Sequence, residues 1–204
     1  RVIKEHKRII FNGNGYDDAW LEEAKRRGLL NLRTTPDALP YYIHPKNVAL
    51  FEEYGVYTET EMRARYEIHL ENYAKVLHIE AHTMVSMTRK DLLPAAIRYG
   101  KELADALASK KAALPDMACP VEEALLRRVN DLTVELAGAL TRLQERLDTA
   151  DHLCADGQTT AEFYRDEIIP AMESLRTAAD ALEVSVAKDV WPLPSYGDIL
   201  FSVR

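Results

Sequence analysis

The feature that most constrains the fold is a repeat of mostly apolar side chains, at helical spacing, between residues 58 and 190. Successive members lie three, four or seven positions apart, which places them on one face of an α-helix. The first stretch runs from Met62 to Ala106, a second covers residues 121–154 and a third runs from Ile168 to Val190. A helix of some 34 residues is about 50 Å long. We therefore predict an all-α fold built on an elongated antiparallel three-helix bundle with short connections.

Local signals predict where these helices begin and end. Thr58 and Glu61 have the spacing of a capping box, which predicts the start of the first long helix. Residues 114–120 are predicted to link the first and second helices, and Asp156–Thr160 to close the second and cap the third. Pro94 lies inside the first helix, where its ring displaces a backbone hydrogen bond. We expect the helix to bend or break one turn before this proline.

The start of the chain lacks the long repeat and indicates short helices and turns. Residues 12–15, Asn-Gly-Asn-Gly, predict a tight turn in which both glycines accept a positive φ. Asp17 or Asp18 is expected to cap a short helix, which Gly28 ends.

The chain is predicted to divide into three segments. Three prolines between residues 29 and 45 predict an irregular crossing, and a second short helix is expected at about residues 46–54. Residues 1–57 then form a segment of short helices and turns, residues 58–190 the long-helix bundle and residues 191–204 a docking tail.

The tail is too apolar to be left in water. Burying a large apolar side chain is worth roughly 1.5–3 kcal/mol, and the tail contains Trp191, Tyr196, Ile199, Leu200 and Phe201. We expect Trp191 and Phe201 to pack near the start of the chain, against apolar residues between 9 and 57.

The composition argues against several classes of protein. The 204 residues include 26 Lys+Arg and 33 Asp+Glu, and the net charge of −7 argues against a generic nucleic-acid binder. No apolar run approaches the roughly 20 residues that cross a bilayer. Cys119 and Cys154 are too few for a disulfide framework or a zinc site, so we expect reduced thiols in a cytoplasmic protein. The sequence opens on Arg1 rather than Met, which indicates a piece of a longer chain.

Two histidines are the first candidates for chemistry. His78 and His82 are four residues apart, with Glu80 between them, and therefore project from one helix face in the minimal geometry for two metal ligands. Neither a His-Glu-x-x-His motif nor the paired Glu-x-x-His of a di-iron bundle accompanies them. We expect ordinary, partly exposed helix histidines.

Other candidate features have structural explanations. Asn12–Gly15 lacks the spacing of a phosphate loop, Lys25–Arg27 suits the dipole of a helix C-terminus, and Met84 and Met87 fall on or near the core stripe. No nucleophile with a placed base and no carboxylate pair emerges from the spacing. We therefore assign no catalytic, cofactor-binding or metal-binding residue to this chain.

Several segments together resemble the C-terminal region of type III glutamine synthetase. The residues that carry the resemblance are Lys7–Tyr16, Trp20, Glu23–Pro40, Arg65–Ile68, Ile79–Ala81 with Met84, Leu93–Ala95, Trp191–Pro192 and Tyr196–Phe201. The resemblance spans nearly the whole chain, although residues 101–190 match only as generic helix.

The resemblance implies an ATP-dependent ligase that joins ammonia to glutamate through γ-glutamyl phosphate, with Mg²⁺ or Mn²⁺, in a large two-ring oligomer. The family's Lys-Phe-Glu-Phe-Arg-like strand and its other metal-binding Glu and His motifs are absent from this sequence. By the resemblance they belong to a catalytic domain upstream of Arg1, and residues 1–57 are then the remnant of the junction to that domain. No catalytic or ATP-binding residue of the family is assigned to a position here.

Two functions remain open at this point. In the first, the chain is the C-terminal helical domain of a glutamine synthetase, inactive alone, which supports assembly or regulation. Its partners are then its own upstream catalytic domain and neighbouring subunits of a homo-oligomer. In the second, it is an independent helical protein-interaction module without enzymatic activity. The reading frame upstream of Arg1 distinguishes the two.

Overall fold

The computed structural model describes residues 1–201, and every regular element in this range is helical. The all-α prediction is confirmed. The chain divides into two compact units, Arg1–Leu70 and Glu71–Arg204. The helices are α1 (Val2–Glu5), α2 (Asp18–Arg26), α3 (Thr35–Tyr42), α4 (Pro45–Glu53), α5 (Glu59–Met87), α6 (Leu93–Ala113), α7 (Pro120–Asp151), α8 (Gly157–Phe163), α9 (Ile169–Glu183) and α10 (Tyr196–Leu200).

Helix α2 in the first unit begins and ends at the predicted signals. The Asp17 carboxylate accepts a hydrogen bond from the Ala19 N–H at 3.2 Å and so caps the helix. Gly28 has a φ of 71°, a left-handed conformation that suits glycine. The Leu29 N–H donates to the Ala24 carbonyl across this glycine at 2.9 Å, which closes the helix end.

The turn at residues 12–15 uses its glycines differently from the prediction. Among the described residues a positive φ occurs at Gly28 and Gly55, and not at Gly13 or Gly15. A Cβ added at Gly13 would overlap the ring of Phe11. Gly13 therefore allows close packing of an aromatic ring and is not selected by its backbone dihedral.

Helix α3 lies where an irregular crossing was predicted, and that prediction is wrong. Thr34 caps the helix by accepting the Asp37 N–H at 3.3 Å, and its hydroxyl donates to the Asp37 carboxylate at 2.6 Å. Pro36 occupies the first turn, where a helix has no use for its missing N–H. Pro45 opens α4 in the same way, and that helix ends one residue earlier than predicted.

Helix α5 begins at the predicted capping box. The Glu61 N–H donates to the Thr58 hydroxyl at 3.3 Å, and the Thr58 N–H donates to the Glu61 carboxylate at 2.8 Å. The hydrogen bonds from the Thr58 N–H and hydroxyl lower the pKa of Glu61, because they favour the charged carboxylate.

Helix α7 is the central helix of the second unit and packs against α6 and α9. Arg142 contacts Ser174 at 3.4 Å and Arg146 contacts Glu167 at 3.2 Å. A residue further along α7 therefore contacts a residue that lies earlier in the third helical stretch. This pairing is antiparallel, as predicted. The fully buried side chains of the core include Ala81, Leu136, Leu143, Leu147, Ile168 and Leu182.

A wide turn separates α5 from α6 at Thr88–Leu92. The Leu93 N–H donates to the Thr88 carbonyl, five residues back, as in a π-helix. Pro94 follows at once, and its ring would clash with the carbonyl four residues back in a regular α-helix. The interruption predicted before Pro94 is confirmed, and it takes the form of an added residue in one turn.

A second wide turn, Tyr164–Ile168, separates α8 from α9 and was not predicted. It also precedes a proline, Pro170. The two turns share a local sequence, Arg-Lys-Asp-Leu-Leu-Pro-Ala at Arg89–Ala95 and Arg-Asp-Glu-Ile-Ile-Pro-Ala at Arg165–Ala171. In both places the proline lies two residues after the wide turn, so the shared sequence pattern accompanies the shared geometry.

The third long helix is shorter than predicted. Helix α9 ends at Glu183 rather than at Val190. A Val-Ser-Val run, which is a poor helix former, begins directly after Glu183. Trp191 was expected to pack near the start of the chain, but it lies in the core of this unit instead and is 8% exposed. The burial expected for Phe201 is not found, because its side chain is 84% exposed.

Candidate functional site

An apolar groove of about 680 Å³ lies between α5 and α9 in the second unit, with part of the tail along it. Three methionines line it, Met84, Met87 and Met172. Met84 also packs against the core, whereas Met87 is 37% exposed. The expectation that Met87 packs in the core is therefore wrong. Flexible, polarisable methionine side chains suit a surface that adapts to a partner.

The rim of the groove is predominantly acidic. Glu80, Glu173, Asp180 and Glu183 line it, together with one base, Arg176. The Arg176 guanidinium lies 3.4 Å from the Asp180 carboxylate and forms an ion pair with it. The remaining negative charge faces solvent around an apolar floor. This arrangement suits apolar side chains flanked by Lys or Arg.

His78 and His82 lie on the α5 face next to the core stripe, away from the groove. Their ring centroids are 4.4 Å apart, and the Asp151 carboxylate at the end of α7 lies beside them. The donor atoms of the three residues all lie within 4.8 Å of one another. Glu80, which lies between the histidines in sequence, faces the groove instead.

Tyr164 holds the ring of His78 in place. Its hydroxyl oxygen lies 2.9 Å from His78 Nδ1, and the tyrosine is 5% exposed. Burial raises the pKa of Tyr164, and the neighbouring Asp151 charge raises it further. The phenol therefore stays protonated at neutral pH.

The basic cluster Lys25–Arg27 in the first unit has a structural role. Arg26 and Arg27 both donate to the Glu23 carboxylate, which lowers the pKa of Glu23. The Arg27 guanidinium also donates to the Ile10 carbonyl at 2.6 Å and fastens the N-terminal segment to α2. These contacts leave Arg26 and Arg27 engaged within the unit and argue against a phosphate site.

The two cysteines are free thiols, Cys119 buried and Cys154 exposed. Within residues 1–201, no helix combines the length and apolar character needed to cross a bilayer.

The sequence analysis missed Asp151 and the groove. Asp151 belongs to a different helix from the histidines, and only the packing of α5 and α7 brings it to them. The groove had a signal in the methionines of α5, which were interpreted as core residues.

Comparison with known proteins gives the family. The sequence profile of the family "Glutamine synthetase C-terminal domain" matches residues 1–111. A glutamine synthetase of Butyrivibrio fibrisolvens is 40% identical over 100% of the chain, and the chain covers 29% of that protein. A type-3 glutamine synthetase of Dictyostelium discoideum is 32% identical over 98% of the chain, which covers 28% of it. A glutamine synthetase of Bacteroides fragilis (strain YCH46) is 28% identical over 99% of the chain, which covers 29% of it.

The chain thus spans less than a third of the length of these relatives, and the profile match falls on both helical units. The match confirms the resemblance to type III glutamine synthetase that the residues suggested: this chain belongs to the glutamine synthetase C-terminal domain family.

Proposed function

We propose that the chain is the non-catalytic helical domain of an enzyme that makes glutamine from glutamate, ammonia and ATP through γ-glutamyl phosphate. In this proposal the chain is inactive alone and supports assembly or regulation of the enzyme. The supporting observation is the groove, an adaptable apolar surface with an acidic rim on a domain that spans 29% of a glutamine synthetase. The alternative of an independent interaction module is less favoured, because relatives that cover the whole chain are glutamine synthetases.

The metal-ligand cluster found among residues 1–201 does not fit the Mg²⁺ or Mn²⁺ of the parent reaction, since these ions favour oxygen ligands. Mg²⁺ takes oxygen ligands, chiefly carboxylates, phosphates and water. The described cluster with metal-ligand geometry contains two imidazoles and one carboxylate instead. We therefore assign no step of the ligase reaction to this chain and propose that its ATP and metal ions bind to the rest of the enzyme.

We propose that the groove is occupied by another part of the same enzyme, the catalytic portion of its own subunit or of a neighbouring one. More than two thirds of each relative lies outside the length matched here, so such a portion exists in those proteins. The acidic rim favours a segment that carries apolar side chains flanked by Lys or Arg. Its docking would cover the exposed methionine Met87 and the apolar floor.

The first experiment measures glutamine formation by the purified 204-residue chain and by the full-length enzyme. We expect activity from the full-length enzyme and none from the chain above a heat-killed control. Activity of the isolated chain would contradict the proposal, because its reaction would then need residues present here.

The second experiment places a charge on the groove floor of the full-length enzyme. Met84→Glu and Met172→Glu should produce smaller assemblies by light scattering, lower synthetase activity, or both. Val134→Glu is the matched control, since Val134 is 66% exposed on α7. Its substitution should change neither the size of the assembly nor the synthetase activity. Circular dichroism of the same variants in the isolated chain checks that the bundle still folds.

The outcomes separate the proposed occupants. Groove variants that assemble and catalyse like the parent would refute the role of the groove. If the isolated chain dimerises and Met84→Glu makes it monomeric, the occupant is a second copy of this domain, and the proposed contact with the catalytic portion is wrong.

A further inference from the structure

We propose that His78, His82 and Asp151 form a binding site for a transition-metal ion of the Zn²⁺ class, where α5 meets the end of α7. The inference does not depend on the proposed role in assembly. It departs from the expectation that the two histidines are ordinary surface residues, because the structure adds a third donor that the sequence did not reveal.

The backbone holds the three donors on rigid elements. His78 and His82 occupy successive turns of α5, with ring centroids 4.4 Å apart, and Asp151 is the last residue of α7. One donor atom from each lies within 4.8 Å of the other two. His78 Nδ1 and an Asp151 carboxylate oxygen are already 3.8 Å apart.

Small side-chain rotations suffice to close the site. Zn²⁺ binds nitrogen and oxygen at about 2.0–2.2 Å, which places neighbouring ligands of a tetrahedral ion about 3.3 Å apart. The 3.8 Å separation exceeds this by about 0.5 Å, and the other donor pairs, which lie within 4.8 Å, exceed it by at most about 1.5 Å. Both histidines are half-buried and Asp151 is exposed, so the carboxylate is free to approach and the ion can enter from solvent.

The donor set selects the class of ion. Imidazole nitrogen together with one carboxylate suits Zn²⁺ and its neighbours Co²⁺, Ni²⁺ and Cu²⁺, and is a poor set for Mg²⁺ or Ca²⁺. Three protein ligands leave a fourth position for water or for another ligand, as in open zinc sites.

Tyr164 lies beside the same ring nitrogen of His78 that faces Asp151. Its buried hydroxyl is 2.9 Å from His78 Nδ1, and the tyrosine belongs to the second wide turn. An ion bound at this nitrogen therefore displaces the hydrogen bond to Tyr164, so the phenol competes with the ion for His78.

The electrostatics also favour a cation. Asp151 ends α7, where the helix dipole presents its negative end. The segment 115–190, to which Asp151 belongs, carries 16 acids and 7 bases.

The experiment titrates the full 204-residue chain with Zn²⁺ by equilibrium dialysis and with Co²⁺ by ligand-field absorption. A Cys154→Ser background removes the exposed thiol, which would otherwise compete for the ion. We expect one equivalent of metal per chain, a tetrahedral Co²⁺ spectrum and a higher Tm with Zn²⁺ than without it.

Two ligand variants and a matched control test the assignment. His82→Gln and Asp151→Asn should each weaken binding at least about tenfold and abolish the rise in Tm. His69→Gln should bind like the parent, because His69 is an exposed histidine of the same helix, away from the cluster. Tyr164→Phe should bind Zn²⁺ at least as tightly as the parent, because it removes the hydroxyl that competes for His78 Nδ1.

Two results would overturn the inference. One is binding of less than one equivalent at micromolar Zn²⁺ by the folded parent chain, which would leave the three residues as a hydrogen-bonded group only. The other is stoichiometric binding that neither His82→Gln nor Asp151→Asn weakens, which would place the ion elsewhere.

Discussion

The position of α7 at the centre of the second unit predicts a large difference between two substitutions only two residues apart. Leu136 is fully buried in the core, whereas Val134 is 66% exposed on the same helix. Leu136→Ala removes three carbons, worth about 0.8 kcal/mol each, and leaves a cavity whose cost adds to this. We expect a loss of about 3–4 kcal/mol in the free energy of unfolding. Val134→Ala should change it by no more than about 0.5 kcal/mol.

The assay should follow the second unit alone. In a Trp20→Phe background, Trp191 is the remaining tryptophan, and it lies in the same core as Leu136. Its fluorescence during urea unfolding then reports on the bundle. With a slope of about 2 kcal/mol per molar urea, the expected loss lowers the midpoint by about 1.5–2 M. A Leu136→Ala midpoint that falls no further than that of Val134→Ala would refute the central position of α7.

Three further predictions concern single positions. The indole N–H of Trp191 is buried without a hydrogen-bond partner among residues 1–201. Trp191→Phe should therefore lower the free energy of unfolding by about 1–2 kcal/mol, against about 3–5 kcal/mol for Trp191→Ala, as measured by thermal unfolding. Equal losses for the two variants would contradict the reasoning. Hydrogen bonds that the Ser195 hydroxyl and N–H and the Lys188 ammonium donate to the Asp198 carboxylate lower the pKa of Asp198 to about 2. The stabilisation of α10 should therefore be complete above about pH 4 and lost as the pH falls toward 2. Amide exchange in α10 measures this, and Asp198→Asn should abolish the pH dependence. Pro94→Ala should keep the wide turn, because Thr88 and Leu92 at its two ends and Ala95 after it are buried. A crystal structure with a regular α-helix there would contradict this.

Much of the helical framework was predictable because its signals are local. The caps at Asp17, Thr58 and Asp156 each consist of a side chain and a backbone N–H two or three residues away, and the structure shows all three. Gly28 ended its helix as predicted, since a φ of 71° is a property of one residue. Such signals survive folding because few distant contacts compete with them.

The errors came from prolines and from contacts between distant residues. Three prolines between residues 29 and 45 were interpreted as breaking regular structure, whereas Pro36 and Pro45 open helices. The repeat that contains Pro170 was overlooked, and with it the second wide turn. In the candidate sites, the position of Asp151 beside His78 depends on how two helices pack, and no local pattern encodes that distance.

The wide turns also bear on how this domain can change in length. A π turn holds one residue more than an α-helical turn between the same two flanking core positions. Deleting one residue from Thr88–Leu92, together with Pro94→Ala, removes that surplus and leaves the core faces of α5 and α6 in phase. A deletion inside α7 instead rotates every later side chain by about 100° and turns residues such as Leu143 away from the core. Shortening by single residues is therefore tolerated at the two wide turns and rejected in the uninterrupted helix between them.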